Sequence, residues 1–365
     1  MNQGIKAGIV GGTGYAGGEL CRLLLNHPGV DSILPTARGT EEFERVHPNL
    51  LGSGLRFIAI EELQERRDEL DVVFFCTPSG EAMKGARQFV EAGARVVDVS
   101  ADFRFRDPEV YRTVYGRYHA DPELLREAVY GITELHRDEV RTAVLVANPG
   151  CYVITATLGL APLFRAGYAQ AKAPVHISAV NGTTGAGTTP KREILHAKAI
   201  NSMLPYSLEG HRHSPELEER LSLLAGHEVT VDFSTAHGNF ARGIYAHCSV
   251  MVSEELRDNV DRDALLSLYR DFYGCGRTVE PFVIVNDAPK SWKLNEKQYD
   301  IYPSLADVMG SNFCHIGLDY DYRRGIIKVI AVTDNIVKGA AGSAIQNMNV
   351  MLGLPEHMAL SHFGL

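Results

Sequence analysis

The stretch that decides the fold lies at the start of the chain, where IKAGIV (residues 5–10) runs directly into GGTGYAG (residues 11–17). The short apolar run predicts a buried strand, and the helical pattern after the glycines predicts a helix. Glycines between a strand and a helix permit a tight turn and a close approach of the backbone to a pyrophosphate. We therefore predict a dinucleotide-binding loop whose cofactor contacts are Gly12, Thr13, Gly14, Tyr15, Ala16 and Gly17.

Outward from this loop, short apolar runs alternate with helical patterns as far as residue 147. This alternation predicts an α/β fold with a Rossmann-type, doubly wound parallel sheet. Beyond about residue 170 strand-like runs outnumber helices, which predicts a second, α+β domain with a more antiparallel sheet. The predicted domains are 1–150, which binds the dinucleotide, and 151–334. The C-terminal helical segment, 335–365, is expected to pack back on the first domain.

Composition limits the classes of protein that fit. The chain has 365 residues, enough for two domains. Its net charge is −9 and it has no run rich in Lys or Arg, so nucleic acid and anionic membranes are not expected as partners. Residues 1–6 lack a secretory signal, and the apolar stretch 144–164 is interrupted by NPG at 148–150. We expect a soluble, cytoplasmic protein that does not enter a membrane.

The six cysteines predict neither a disulfide framework nor a zinc site, because they are scattered without any Cys-x-x-Cys pair. No metal is expected. Most of these residues are expected to be small buried apolar side chains. The six are Cys21, Cys76, Cys151, Cys248, Cys275 and Cys314.

The end of the second predicted strand is where a dinucleotide's adenosine ribose is bound. Thr36-Ala37-Arg38 contains no acidic residue, and an arginine there suits a 2′-phosphate. NADP(H) is therefore predicted in preference to NAD, with Thr36 and Arg38 as contacts. The alternative is a solvated surface arginine. Ser79, in the turn after the strand predicted at 71–76, is a further candidate cofactor contact.

A candidate nucleophile follows the strand predicted at 144–147. NPGC (residues 148–151) joins that strand to an apolar helical segment at 152–164. A cysteine that begins a helix lies at the positive end of the helix dipole, which favours its thiolate. Pro149 and Gly150 shape a turn that can expose the sulfur. Cys151 is predicted to be catalytic, and a buried structural cysteine is the alternative.

Two histidines in GHRHSPE (residues 210–216) form the next cluster. In an extended segment His211 and His213 would share one face and Arg212 would lie on the other. No third residue stands at a metal-ligand spacing, so acid–base chemistry is predicted in preference to a metal site. A surface loop is the alternative.

Candidate substrate contacts come from polar segments elsewhere. The arginines of SADFR (100–104) and FARG (240–243) could bind phosphate or carboxylate in a bidentate manner, or form structural ion pairs. NGTTGAG (181–187) is either a substrate rim or a plain turn. DNIVKGAAG (334–342) has small residues that permit close approach to a cofactor or to another helix. The predicted substrate contacts are Ser100, Arg104, Asn148, His213 and Arg242.

Five of these segments occur in one order over nearly the whole chain: GGTGYAG at 11–17, SADFR at 100–104, NPGC at 148–151, GHRH at 210–213 and DNIVKGAAG at 334–342. Together they resemble the N-acetyl-γ-glutamyl-phosphate reductases, the arginine-biosynthesis relatives of aspartate-semialdehyde dehydrogenase. The resemblance implies a Rossmann domain, an α+β catalytic and dimerisation domain, a homodimer or homotetramer, and NADPH as reductant.

The resemblance also implies roles for particular residues. Cys151 would be the nucleophile, His211 its acid–base partner and His213 a substrate contact. Asn335 is similar to the family asparagine near the nicotinamide. The implied reaction reduces a small-molecule acyl phosphate, N-acetyl-γ-glutamyl phosphate, to the 5-semialdehyde and phosphate through a thioester on Cys151.

Other functions remain open from the sequence. The loop at 181–187 departs from the family's usual G-[TSV]-S-G-A-G, and it lies where the acyl chain is expected to bind. One alternative substrate is therefore a carrier-linked aminoadipyl or glutamyl phosphate of lysine or ornithine biosynthesis. Aspartate-semialdehyde dehydrogenase fits less well, because SADFR and GHRH are not its signature. From another class, an NADPH-binding redox sensor would use Cys151 as a regulated thiol.

Overall fold

The computed structural model describes residues 4–274, 279–291, 297–360 and 363–364. Its contacts divide the chain into two compact units, Met1–Gly150 with Gly339–His362 and Cys151–Lys338 with Phe363–Leu365. The chain thus leaves the first unit at Gly150 and returns to it at Gly339. The prediction gave all of 335–365 to the first domain, whereas residues 335–338 and 363–365 belong to the second unit.

The described residues form strands and helices in alternation through most of the chain. The strands are β1 (Ile5–Val10), β2 (Val30–Pro35), β3 (Val72–Phe75), β4 (Arg95–Asp98), β5 (Val129–Tyr130), β6 (Leu145–Ala147), β7 (Val175–Asn181), β8 (Leu204–Tyr206), β9 (Val231–His237), β10 (Ile244–Met251), β11 (Val283–Val285), β12 (Cys314–Asp321) and β13 (Ile326–Thr333). The helices are α1 (Tyr15–Leu24), α2 (Phe43–Val46), α3 (Ile60–Glu65), α4 (Ala82–Glu91), α5 (Pro108–Tyr115), α6 (Pro122–Glu127), α7 (Thr133–Thr142), α8 (Cys151–Arg165), α9 (His196–Ala199), α10 (Ser214–Ala225), α11 (Arg262–Tyr273) and α12 (Gly342–Met351).

The first unit is built on a six-stranded sheet in the order β2-β1-β3-β4-β6-β5, and every neighbouring pair is parallel. All residues of β3 and β6 are buried, as expected for parallel strands covered on both faces. Apolar side chains of α4, α5 and α6 join strand residues in one core cluster. Helix α12 packs against α7, α1 and β4. The predicted doubly wound parallel sheet is confirmed.

The second unit is built on a seven-stranded mixed sheet in the order β11-β12-β13-β10-β7-β9-β8. Pairs β11/β12 and β7/β9 are parallel and the other four are antiparallel. Helix α8 packs on β10 and β13, and every side chain from Tyr152 to Phe164 is buried. The apolar run after NPGC is therefore a central core helix, which fixes where Cys151 lies. The predicted α+β unit is confirmed.

Several elements are absent from the sequence prediction, notably β12 and the helices α5, α6, α7, α10 and α11. Helices α5, α6 and α11 begin after aspartates that accept hydrogen bonds from the first turn, namely Asp107, Asp121 and Asp261. Within the described residues, no helix has both the length and the hydropathy that crossing a membrane would require.

Candidate active site

The glycine loop of the first unit has the backbone form that its sequence predicts. Gly11 adopts φ +88°, and a Cβ there would lie 2.6 Å from the carbonyl oxygen of Cys76. A Cβ on Gly17 would lie 2.6 Å from the oxygen of Gly11, so helix α1 packs directly on the loop. A Cβ on Gly14 would have no neighbour closer than 3.9 Å. The close backbone approaches explain why Gly11 and Gly17 carry no side chain. Gly14 leaves open space beside the loop.

The two predicted adenosine contacts differ in their surroundings. Thr36 is buried, its hydroxyl accepts a hydrogen bond from the N–H of Gly11 (3.2 Å), and its carbonyl accepts one from Gly12 (2.9 Å). Thr36 therefore stabilises the glycine loop through hydrogen bonds to its backbone. Arg38 is exposed, and no described residue forms an ion pair or hydrogen bond with its side chain. Of the two, Arg38 has the freedom to bind an anionic ligand.

The SADFR segment is held mainly by an aspartate that the sequence analysis did not single out. Asp102 is fully buried and accepts hydrogen bonds from the N–H groups of Gly80 (2.6 Å) and Met83 (3.1 Å) and from the Tyr111 hydroxyl (3.1 Å). It thereby fixes the turn after β3, in which Ser79 is half-buried. Burial, and then the nearby charge of Asp102, raise the pKa of Asp98.

Three of the predicted substrate contacts are engaged within the first unit. Ser100 is buried, and its hydroxyl accepts from the N–H of Asp102 (3.3 Å). Arg104 is also buried and donates through Nε to the carbonyl of Asn148 (3.0 Å) and through Nη2 to that of Val99 (3.3 Å). The bond from Arg104 to Asn148 connects the SADFR segment to the NPGC turn.

Asn148, another predicted substrate contact, is hydrogen-bonded within the first unit. Its side chain is fully buried, and Nδ2 donates to the carbonyl of Ala340 (3.1 Å) and to the Ser343 hydroxyl (3.0 Å). Its Oδ1 accepts from Nδ2 of Asn347 (3.0 Å). Both amide hydrogens and the oxygen are thus used in joining the turn to the segment that contains α12.

Cys151 is the first residue of α8 and is half-buried. In the second unit the amide of Asn181 lies beside its sulfur, with Nδ2 3.9 Å from Sγ. Asn181 ends β7 and is 2% exposed. A Cβ on Gly185 would lie 2.0 Å from that Nδ2, so the glycine leaves room for the amide. An N–H donor beside a sulfur at a helix N-terminus favours the thiolate.

His211 and His213 are buried in a turn that leads into α10, so the predicted extended segment is wrong. Their ring centroids are 4.7 Å apart, and the N–H of His213 donates to Nδ1 of His211 (3.1 Å). Burial, followed by the charges of Arg212 and His237, lowers the pKa of His211 to about 4. His211 is therefore neutral at pH 7.

Aromatic rings enclose the two histidines. Tyr152, next to Cys151, has its ring centroid 5.7 Å from that of His211, and Phe233 lies 5.6 Å away. The hydroxyls of Tyr152 and Tyr206 are 3.0 Å apart. Tyr206 stacks on His237 at 4.5 Å, with 11° between the ring planes. The cysteine, the paired histidines and this aromatic cage lie at one end of α8, in a single unit.

The remaining predicted contacts of this unit are Arg242 and Asn335. Arg242 forms an ion pair with the fully buried Asp334, with Nε 2.9 Å from Oδ2. The structural ion pair that was the alternative for Arg242 is thus present. Asn335 accepts from the N–H of Gly243 (2.7 Å) and donates to the Thr184 hydroxyl (2.9 Å). It ties the loop after β7 to the strand β10.

Comparison with known proteins gives the family. The model of the semialdehyde dehydrogenase NAD binding domain matches residues 6–143, and that of the semialdehyde dehydrogenase dimerisation domain matches residues 151–335. N-acetyl-gamma-glutamyl-phosphate reductase from Moorella thermoacetica is 40% identical over 365 residues, 99% of each chain. The enzymes of the same name from Nitrosospira multiformis and Azotobacter vinelandii are each 39% identical, again over 99% of each chain.

The chain belongs to the N-acetyl-gamma-glutamyl-phosphate reductase family. The resemblance drawn from its five motifs is confirmed. Solved structures support the fold of this reductase. Aspartate semialdehyde dehydrogenase II from Vibrio cholerae, complexed with ASA, has a TM-score of 0.70 at 15% identity and covers 96% of this chain and 99% of its own. The enzyme from Candida albicans, solved with NADP, has a TM-score of 0.68 at 16% identity, with the same coverage.

Sequence reasoning missed several residues that shape this reductase. Asn181 lay in a loop recognised only as polar, and Asp102 lay in a motif interpreted through its arginine. His237 stands in no motif, and no local signal marks it. Within the described residues, no group of three His, Cys, Asp or Glu side chains could hold a metal ion. The described cysteines other than Cys151 are buried or half-buried, and Cys275 lies outside the described residues.

Proposed function

We propose that this chain reduces N-acetyl-γ-glutamyl phosphate to N-acetylglutamate 5-semialdehyde and phosphate, with NADPH as reductant and a thioester on Cys151. The observation that carries the proposal is about 40% identity, over 99% of the chain, to curated enzymes of this name. The reaction is a step of arginine biosynthesis. The position of Cys151 at the start of a buried helix supplies the chemistry that such a reaction needs.

The glycine loop fits a dinucleotide. The N–H groups of Thr13, Tyr15 and Ala16 have no hydrogen-bond acceptor among the described residues. They lie at the start of α1, where backbone N–H groups and the helix dipole favour a phosphate. Arg38, exposed after β2, suits a 2′-phosphate, and this supports NADP(H) over NAD. When bound, the dinucleotide supplies the hydride.

The chain's own residues account for the covalent steps. The Cys151 thiolate attacks the acyl carbonyl carbon, a C–S bond forms, and the C–O bond to phosphate breaks. After hydride addition, the thiohemiacetal oxyanion re-forms its C=O bond and expels the thiolate, which releases the aldehyde. This breakdown of the thiohemiacetal oxyanion requires no proton, because the thiolate leaves as an anion. Asn181, with its amide 3.9 Å from the sulfur, stabilises that anion.

His211 acts in this scheme as a hydrogen-bond donor in place of the proton shuttle first expected. Its Nδ1 accepts the N–H of His213, so the neutral ring carries its proton on Nε2. Because the pKa of the protonated ring is lowered to about 4, the ring is neutral at neutral pH and keeps this one N–H. A neutral imidazole N–H stabilises an oxyanion by hydrogen bonding without giving up its proton.

We further propose a homodimer in the cytoplasm. The dimerisation-domain match covers the second unit, and exposed apolar side chains flank the edge strand β8. The described cysteines form no disulfide, as is usual in a reducing compartment. Light scattering after gel filtration distinguishes a dimer from a tetramer. The apolar residues are Leu195, Ile200, Met203 and Leu208.

The proposed reaction is tested in the reverse direction with purified protein, NADP⁺ and phosphate. N-acetylglutamate 5-semialdehyde should be oxidised, with NADPH formation followed at 340 nm. Aspartate 4-semialdehyde is the matched control and should give little turnover. Preference for a carrier-linked aminoadipyl semialdehyde would transfer the assignment to lysine biosynthesis. NADPH binding without turnover of any semialdehyde would favour the redox-sensor alternative.

A further inference from the structure

The side chain of a histidine about 35 residues beyond the glycine loop forms a hydrogen bond with the backbone of that loop. Nε2 of His47 lies 2.8 Å from the carbonyl oxygen of Gly12. A carbonyl can only accept, so Nε2 carries the hydrogen and donates it. His47 is 8% exposed, and it follows α2 directly. The hydrogen bond is therefore shielded from competing water.

Packing leaves the imidazole little freedom to move. Its ring contacts those of Phe43 (centroids 5.1 Å apart) and Phe57 (6.1 Å). A Cβ on Gly18 would lie 2.4 Å from Cε1 of the same ring. Real atoms do not approach that closely, so only glycine at position 18 allows α1 to lie against His47. The position of the donor is thus fixed by contacts with Phe43, Phe57 and Gly18.

The direction of one carbonyl sets the direction of the next N–H. In a trans peptide the C=O of one residue and the N–H of the next point in opposite directions. With the Gly12 carbonyl directed at His47, the N–H of Thr13 points away from the imidazole. Thr36 holds the other side of the same residue, because its carbonyl accepts the Gly12 N–H at 2.9 Å. Thr13 itself has no acceptor among the described residues.

We propose that His47 is a positioning residue for the dinucleotide: it fixes the Gly12–Thr13 peptide so that the Thr13 N–H faces the pyrophosphate. The inference rests on the proposed use of NADPH. A loop fixed before the ligand arrives binds more tightly, because less freedom is lost on binding. His47 would act through the backbone and would not touch the cofactor.

Two substitutions separate the hydrogen bond from the packing. His47→Phe keeps an aromatic ring in contact with Phe43 and Phe57 and removes the donor. His47→Gln places an amide N–H near the position of Nε2 and should restore much of the function. The matched control is His27→Phe, because His27 is also buried in this unit and bonds to Asn349 (3.0 Å). Gly18→Ala is a second test, since it displaces the imidazole while leaving it in the chain.

The measurement compares NADPH with adenosine 2′-monophosphate, which lacks the pyrophosphate. NADPH affinity is measured by nicotinamide fluorescence, and that of the smaller ligand by competition. His47→Phe and Gly18→Ala should raise the Kd for NADPH about tenfold, the scale of one oriented hydrogen bond. The same variants should change the affinity for adenosine 2′-monophosphate less than about twofold.

Other results overturn the inference. Unchanged NADPH binding in both variants would show that the peptide needs no support from His47. An equal loss for both ligands, or the same loss in His27→Phe, would show a general effect on folding. A wild-type protein that binds adenosine 2′-monophosphate but not NADPH would refute the proposed cofactor itself, and that outcome is visible before any variant is made.

Discussion

The backbone N–H of His213 donates a 3.1 Å hydrogen bond to Nδ1 of His211, which assigns the proton of the neutral ring to Nε2. The backbone of His213 therefore determines which nitrogen of His211 can donate a hydrogen bond. The motif predicts two alternative acid–base groups. The geometry instead makes one histidine the backbone support of the other. This relationship leads to a prediction about pH.

The stability of the protein should depend on His211 at acid pH. Because burial lowers its pKa to about 4, below the ordinary 6.5, protonation favours the unfolded chain. The free energy of unfolding should fall as the pH decreases from about 6.5 to about 4, by about 2 kcal/mol from this residue. Urea unfolding of the wild type and of His211→Gln, each at pH 7 and pH 4, measures the contribution of His211 to this loss of stability.

His196→Gln is the control for this measurement, because His196 is exposed on α9 and no described residue forms a hydrogen bond or ion pair with its imidazole. If His211→Gln loses as much stability on acidification as the wild type, the imidazole is not held neutral by its surroundings.

Removal of the Cys151 sulfur should abolish turnover. Cys151→Ala is expected to lower kcat by at least about 10³-fold while the affinity for NADPH stays within about twofold. Intact mass spectrometry with acyl phosphate and no NADPH should show an acyl adduct on the wild type and none on Cys151→Ala. Cys248→Ala, at a buried cysteine of β10, is the matched control and should retain the adduct. Substantial turnover in Cys151→Ala would refute the thioester.

The amide of Asn181 should control how readily the sulfur reacts. Asn181→Asp places a carboxylate where an N–H donor lies 3.9 Å from Sγ, which disfavours the thiolate. Alkylation of Cys151 by iodoacetamide at pH 7 should slow about tenfold in this variant and a few-fold in Asn181→Ala. Asn201→Asp, at an exposed position of the same unit, carries the same charge change and should react at the wild-type rate. Equal rates in all three would remove Asn181 from the site.

Arg38 should set the preference between the two dinucleotides. Arg38→Asp is expected to reduce the ratio of kcat/KM for NADPH to that for NADH by about 10- to 100-fold, because a charge-assisted contact to the 2′-phosphate is lost. Steady-state kinetics with both cofactors give the ratio. Arg56→Asp, at an exposed arginine of the same unit, makes the same change in net charge. An equal effect of both variants would indicate general electrostatics only.

Local sequence was enough to predict the glycine loop, the parallel sheet and the helix that begins at Cys151. Each of these rests on neighbours in the chain: a run of apolar residues, a glycine spacing, or a turn before a helix. The strand β12 was missed because Gly317, Asp319 and Asp321 are poor strand formers. Gly317 is required there, since a Cβ would lie 2.6 Å from Cδ of Pro303.

The groups that support the site could not be predicted in the same way. His47 reaches Gly12 across 35 positions, and Asp102 reaches Gly80 across 22. Such bonds depend on how elements pack, and nothing in the neighbouring residues encodes them. The same holds for Arg104 and Asn148. Their residue types predict ligand contacts, and no local pattern indicates that both are also buried and hydrogen-bonded around the NPGC turn.

The return of the chain to the first unit at Gly339 affects the order in which the protein is made. A ribosome releases residues 1–150 long before α12 exists, so the amide of Asn148 must wait for Ser343 and Asn347, which emerge almost two hundred residues later. During synthesis the second unit therefore has all but its last three residues before the first can close. A nascent chain stalled before residue 339 would contain Cys151 in a second unit that lacks only residues 363–365, while the first unit still lacks α12.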